Sequence, residues 1–362
     1  MADKTHIQWT EATWNPITGC SIVSLGCTNC YAMKLAGTRL MHHPSRAGLT
    51  KEVNGNHVWT GEVRFNEQWL TQPLSWKKPR MIFVCAHADL FHEAVPDAWI
   101  DQIFAVMALT PHHTYQILTK RPERMKSYLS ASGIASRIAE ATIGPAPNPR
   151  SLPTPPVIFN VPVGPPTKYG APEFGYRRMM NPRSWPLPNV WLGVSVEDQT
   201  RADERIPLLL QTPAALHWIS AEPLLGPLSL KGYLSTVWEG ITSSYVGTDG
   251  IERCDMTGNA VPGLKWVVAG GENGPRPPHP EWFRTIRDEC AAADVAFFLK
   301  QWGSWAHMPG RAYFKDAYKE PWKRVDSQIS QVRPALMFKV GKAAAGDVLD
   351  GWQHHNWPEA GQ

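Results

Sequence analysis

Several segments of the chain share one pattern, an apolar run of mostly β-branched and aromatic residues that stops abruptly at polar or glycine residues. They are MIFVCAHADLF (81–91), TYQILTKRP (114–122), VWLGVSVED (190–198), LHWISAEPL (216–224), KWVVAGGEN (265–273) and VAFFLKQWG (295–303). Runs that stay apolar instead of alternating predict strands buried on both faces. Helical spacing appears between them. Ile100, Ile103, Phe104 and Met107 fall on one face after Pro96 and Asp97, and Phe283, Ile286 and Cys290 do so after Pro280. Strands alternating with helices predict an α/β fold with a parallel sheet, a partial or full (β/α) barrel.

The polar residues that end these runs recur strand after strand: Asp89; Thr119, Lys120 and Arg121; Ser195 and Glu197; Ser220 and Glu222; Gly270 to Glu272; Lys300 and Gln301. In a β/α barrel the C-terminal strand ends form the mouth of the active site. Ser, Asp and Glu also cap helices where a strand turns into one, but Lys and Glu at so many equivalent places argue for a common polar pocket. Two stretches depart from the pattern. One carries 13 prolines from Pro145 to Pro188 and is expected to be an extended insertion. The other, roughly 232–263, reads as irregular and contains Cys254. The expected division is therefore 1–130 as the first part of the barrel, 131–189 as the insertion, and 190–362 as the second part with a C-terminal extension.

Composition narrows the class. With 362 residues, 43% hydrophobic and 19% charged, and no apolar run of about 18 residues, the chain is expected to be globular, neither disordered nor membrane-spanning. A balance of 36 basic against 32 acidic residues is too even to mark a nucleic-acid binder by charge alone. The start, MADKTHIQWTEATWN, lacks the basic segment and apolar run of a secretory signal, so a reducing cytoplasm is expected.

That compartment matters for the cysteines. Of those at 20, 27, 30, 85, 254 and 290, the first three are clustered as Cys-x6-Cys-x2-Cys, with Gly19 and Gly26 directly before the first two. Three thiols so close favour a metal over a disulfide. Zinc would need a fourth ligand, from His6, His87 or a distant cysteine. A four-iron four-sulfur cluster would use the three thiolates and leave one iron open. Cys85 and Cys290, in apolar surroundings, read as buried thiols. Lys300 ends a very apolar strand, which is hard to reconcile with ordinary surface and suits proton transfer or anion binding, with Glu272 or Glu222 as its partner. Lys120 and Arg121 read either as a phosphate or carboxylate clamp or as a solvated first helical turn.

Taken together, TWNPITGC…GCTNCYA, ADLFHEAVP, LTKRPERM, NVWLGVSVEDQ, ISAEPLLGPL, GGENG and FFLKQWG, in that order, closely resemble a phage and prophage family, the three-cysteine-motif or phage late-gene proteins of unknown function. The likeness runs from about residue 5 to Pro358, apart from the insertion. That family is in turn similar to the radical S-adenosylmethionine superfamily, and more distantly to its spore photoproduct lyase branch. The resemblance implies a partial (β/α)6 barrel, with Cys20, Cys27 and Cys30 on a 4Fe-4S cluster. By strand position it implies Ser195 and Glu197 at the ribose of S-adenosylmethionine, Tyr31 at the adenine and Asp89 at the methionine amino group. Lys300, Glu272 and Glu222 are then the catalytic candidates, and Lys120, Arg121 and Gln301 the substrate-binding ones. The spacing departs from the usual Cys-x3-Cys-x2-Cys, and Asn29 stands where an aromatic is usual.

The function so implied is cleavage of S-adenosylmethionine to a radical that abstracts hydrogen from a nucleobase or nucleic acid. Two alternatives stay open. One is a zinc-stabilised barrel acting as a metal-dependent nucleic-acid hydrolase through Asp89, Glu197, Glu222 and Glu272. The other is a non-catalytic partner of a phage-encoded protein. None of these readings involves a membrane.

Overall fold

Every one of the apolar runs forms a strand, and an additional short strand precedes them. In a computed structural model of the chain, residues 5–141, 158–162, 176–180, 184–234, 237–238, 241–246, 252–256, 260–261, 263–307 and 322–359 are described. The strands are β1 (Ala12–Trp14), β2 (Met81–Val84), β3 (Thr114–Thr119), β4 (Val190–Ser195), β5 (Leu216–Ala221), β6 (Trp266–Gly270) and β7 (Ala296–Gln301). They follow one another in hydrogen-bonded order from β1 to β7. Each registered pair is parallel, for example Ile82 opposite Tyr115 and Val268 opposite Phe298. β4, β5 and β6 are buried at every position, which is why their sequences show no alternation. No pairing of β7 with β1 is present among the described residues, so the mixed α/β fold has the open, partial form of the expected sheet and not the closed one.

The chain divides into two compact units, Met1–Val194 with Thr212–Leu216, and Ser195–Gln211 with His217–Gln362. In the first unit, α1 (Tyr31–Gly37) follows the cysteine loop, α2 (Asp97–Leu109) links β2 to β3, and α3 (Pro122–Leu129) begins directly after β3. Pro96 and Pro122 start the last two where a missing N–H costs nothing. Ile100, Ile103, Phe104 and Met107 of α2 are all buried, as their spacing predicts. Asn189 locks the α2–β3 connection to β4, its side-chain amide donating to the carbonyls of Met107 and His113 at 3.1 Å each.

In the second unit, α4 (Gln199–Leu210) is capped by Asp198, whose carboxylate accepts from Arg201 N at 2.9 Å. α5 (Pro280–Ala292) is capped by His279. The segment 354–356 returns to the free edge of β7, with Leu299 N donating to His354 O (2.7 Å) and Asn356 N to Phe297 O (3.1 Å). Trp357 then stacks on Trp266.

Two expectations are corrected. The proline-rich stretch is not without secondary structure, since it begins with a helix (Ile134–Glu140) and holds an antiparallel pair, Ile158–Pro162 with Tyr176–Met180. The prolines hid strands too short for periodicity to register. The stretch 232–263 likewise contains the pair Ile241–Val246 with Glu252–Met256, which includes Cys254. Most of the remaining prolines of the insertion lie outside the described residues. Among the described residues no helix is long and apolar enough to cross a membrane.

The entry to the cysteine loop depends on Gly19. Its φ is +95°, its N–H donates to His87 O at 3.2 Å, and a Cβ there would lie 2.2 Å from the backbone oxygen of Glu62. Gly19→Ala should therefore cost more than the about 1–2 kcal/mol of a left-handed residue alone, read as a lowered urea midpoint with unchanged m-value.

Candidate functional site

From β1 the chain passes through Ile17–Thr18, which pairs with Arg64–Phe65, then Gly19, then the three cysteines, with a short turn at Leu25–Cys27 and Cys30 at the N-cap of α1. All three thiols are free and half-buried. Cys20 and Cys30 pack against the buried cluster of Ala32, Met33, Ala36, Leu49 and Trp59. Burial, and then the Asp89 carboxylate, push the Cys20 thiol up to about 12. Cys30 is also raised by burial, with Lys120 acting to lower it. Both sulfurs are thus held protonated until something takes the proton's place. Among the described residues, no group of three His, Cys, Asp or Glu side chains is placed to hold a metal ion.

Arg121 ties this loop to the strand ends. Its Nη1 donates to Asp89 Oδ2 (3.0 Å) and to Cys20 Sγ (3.7 Å), its Nε to Glu93 Oε1 (2.9 Å), and its Nη2 to Ser21 Oγ (2.7 Å). Burial works to lower this guanidinium's pKa, and Asp89, Cys20 and Glu93 together outweigh it and raise it. Asp89 is equally engaged. Besides Arg121 it accepts from Thr119 Oγ1 (2.7 Å), Phe91 N (3.0 Å) and Lys120 N (3.2 Å). His92 Nδ1 accepts from Ala94 N, which leaves the ring proton on Nε2 to donate to Ser21 Oγ at 2.9 Å.

On another side of the loop, the Tyr31 hydroxyl donates to Ala86 O at 2.6 Å, and its exposed ring meets His87 edge-on. His87 Nδ1 lies 2.8 Å from Arg46 Nη2. A guanidinium can only donate, so Nδ1 must be the acceptor and the ring proton must sit on Nε2. In that tautomer Nε2 has no lone pair for a metal. Burial, and then Arg46, depress the His87 pKa to about 4.

The second unit carries the remaining candidates. Arg205 of α4 donates from Nη1 to Ser195 O (2.8 Å) and to Glu197 Oε2 (3.0 Å), and Glu197 is 1% exposed. Lys300 Nζ donates to Glu222 Oε2 at 2.8 Å, and Gln301 Nε2 to Glu222 Oε1 at 2.7 Å. The carboxylate only accepts, which fixes the Gln301 amide and leaves its buried Oε1 without a partner among the described residues. Gly270 makes room, since a Cβ there would lie 3.1 Å from the Glu222 side chain. Glu272 does not join Lys300; Arg276 grips its two oxygens, with Nε at 3.1 and 3.0 Å. Of the two partners expected for Lys300, it takes Glu222.

Several participants escape a reading of strand ends. Arg46, Glu93, Arg205 and Arg276 come from a turn, a loop, a helix and a loop, and each lies several residues from any apolar run. Only Arg205 and Arg276 left a trace, a basic residue eight and four positions after an acidic strand end.

Over residues 4–358 the chain matches the model of a family described as a protein of unknown function, DUF5131, and it belongs to that family. Neither a curated protein nor a solved structure matches the chain.

Two outcomes follow from this geometry. Arg205→Met removes the guanidinium facing a sealed carboxylate and should destabilise by about 3–5 kcal/mol in urea unfolding, with Glu197→Gln on the same background restoring part of the loss. For His87, the folded pKa of about 4 lies below its ordinary value of 6.5. The unfolded chain therefore binds the proton first, and stability present above pH 6.5 is lost as the pH falls toward 4. His87→Gln should flatten that part of the stability profile.

Proposed function

We propose that this DUF5131 member is a radical S-adenosylmethionine-like iron–sulfur enzyme that modifies a nucleobase or nucleic acid. The observation that carries the reading is the donor set at the loop. Cys20, Cys27 and Cys30 are free thiols on one turn leading into α1, and the nearby His87 has a tautomer that cannot complete a zinc site through Nε2. Arg121 against Cys20 and Lys120 near Cys30 supply positive charge where three thiolates would concentrate negative charge. The residues fit a 4Fe-4S cluster with one iron left for an outside ligand. Such a cluster, when bound, supplies one electron to S-adenosylmethionine and a coordination position for it.

The protein's own part is positioning. Arg121 fixes Cys20 and Ser21, and Asp89 acts through Arg121 and Lys120 N. The exposed Tyr31 ring offers a stacking face for adenine. At the end of β4, Ser195 and Glu197 are the residues assigned to the ribose, with Arg205 setting the strand end. Lys300 and Glu222 stay partly accessible, so Lys300 Nζ can hand a proton to a substrate while Glu222 holds the ammonium in place. Gln301 Oε1 would accept from an amino or imino N–H of a base seated there. The phage three-cysteine-motif resemblance favours the same class of substrate.

Anaerobic reconstitution should bring iron and sulfide to about four each per chain. Ala at 20, 27 or 30 should abolish the uptake, while Cys85→Ala, Cys254→Ala and Cys290→Ala should retain it. S-adenosylmethionine should bind in calorimetry after reconstitution. Lys300→Met should keep iron content and binding but lose turnover. Stoichiometric zinc with no iron uptake would overturn the reading.

A further inference from the structure

Three arginines are buried among the described residues: Arg46, Arg121 and Arg205. Arg121 faces Asp89 and Glu93, and Arg205 faces Glu197. Arg46, 4% exposed, is different. Its Nη1 donates to the Ser45 hydroxyl, its Nη2 reaches His87 Nδ1 at 2.8 Å, and its Nε is buried with no partner. The charged or ionisable groups that act on it are Tyr31 and a second cation, Arg64. Arg64 in turn is held by carbonyls, those of Pro44 and Ala47. No ion pair joins a carboxylate to either guanidinium among the described residues.

A buried charge left unneutralised is costly. Burial, with Arg64 adding to it, pulls the Arg46 pKa down to about 10. The Trp69 ring 5.8 Å from the guanidinium carbon offers a cation–π contact, which at about 2 kcal/mol in desolvated settings offsets only part of such a cost. The side chain keeps its Nε hydrogen and one Nη2 hydrogen for another acceptor. His87 adds a donor, because the Arg46 contact forces its ring proton onto Nε2. Planar guanidinium donors of this kind match the oxygens of carboxylates and phosphates.

We propose that Arg46, with His87 and Arg64, forms a binding site for an anionic group, a carboxylate or a phosphate, in the first unit beside Tyr31. The site does not depend on the iron–sulfur reading, since none of its donors is a cysteine and it exists in protein free of iron.

The experiment uses the full chain without reconstitution, at pH 7.5. Thermal midpoints are recorded against increasing inorganic phosphate and, separately, acetate, each compared with chloride at matched ionic strength. The wild type should show a saturable rise with at least one of the two. Arg46→Gln should weaken the apparent affinity at least tenfold, and Arg64→Gln, which stands in if the first variant does not fold, should weaken it severalfold. A response to phosphate alone assigns a phosphoryl ligand, and one to acetate alone a carboxylate. No saturable response to either anion, or wild-type affinity in the folded variants, would overturn the proposal.

Discussion

The guanidinium of Arg121 is the contact on which the first unit's polar architecture rests. Its nitrogens reach Asp89 just beyond β2, Glu93 in the loop that follows, and Ser21 and Cys20 in the cysteine loop. Without that charge, Asp89 would be a buried carboxylate near a second one, and the loop would lose its grip on the strand ends. An arginine is suited to this because it cannot shed its proton to escape burial. A lysine would offer a single point of charge where several directions are needed. The cysteines therefore owe their setting less to their own segment than to a residue a hundred positions downstream.

A parallel sheet explains why such residues meet at all. All strands point the same way, so whatever follows them in the chain gathers at one end of the sheet. The second unit repeats the theme with different degrees of closure. Glu197 with Arg205 is sealed, whereas Glu222 with Lys300 retains some contact with water. The sealed pair can only hold backbone in place. The partly open pair can exchange protons with something outside.

The strands were legible because burial on both faces leaves a continuous apolar run, and no other local structure of that length writes itself so plainly. β1 was missed since Ala-Thr-Trp is too short for any period to register. The cysteine loop was legible by composition, and the clustering of polar residues at strand ends by repetition. What sequence could not supply was the pairing. Lys300 had two plausible carboxylates, and the choice of Glu222 depends on Gly270 lacking a side chain and on Arg276 already holding Glu272. Lys120 and Arg121 looked like one clamp, yet Arg121 is spent on the protein itself. Arg46 was invisible, since a lone arginine in a polar turn carries no pattern, and only its burial sets it apart.

The return of residues 354–356 to the outer edge of β7 has a consequence for self-association. An unpaired parallel edge is a template onto which another chain can add a strand. Here that template is already taken from within, by Leu299 N bonded to His354 O and Asn356 N bonded to Phe297 O, and Trp357 clamps the arrangement against Trp266. Were the tail to lift, backbone groups and a wholly buried indole would come into view together. The closing residues of the fold act as a guard rail along its most adhesive border.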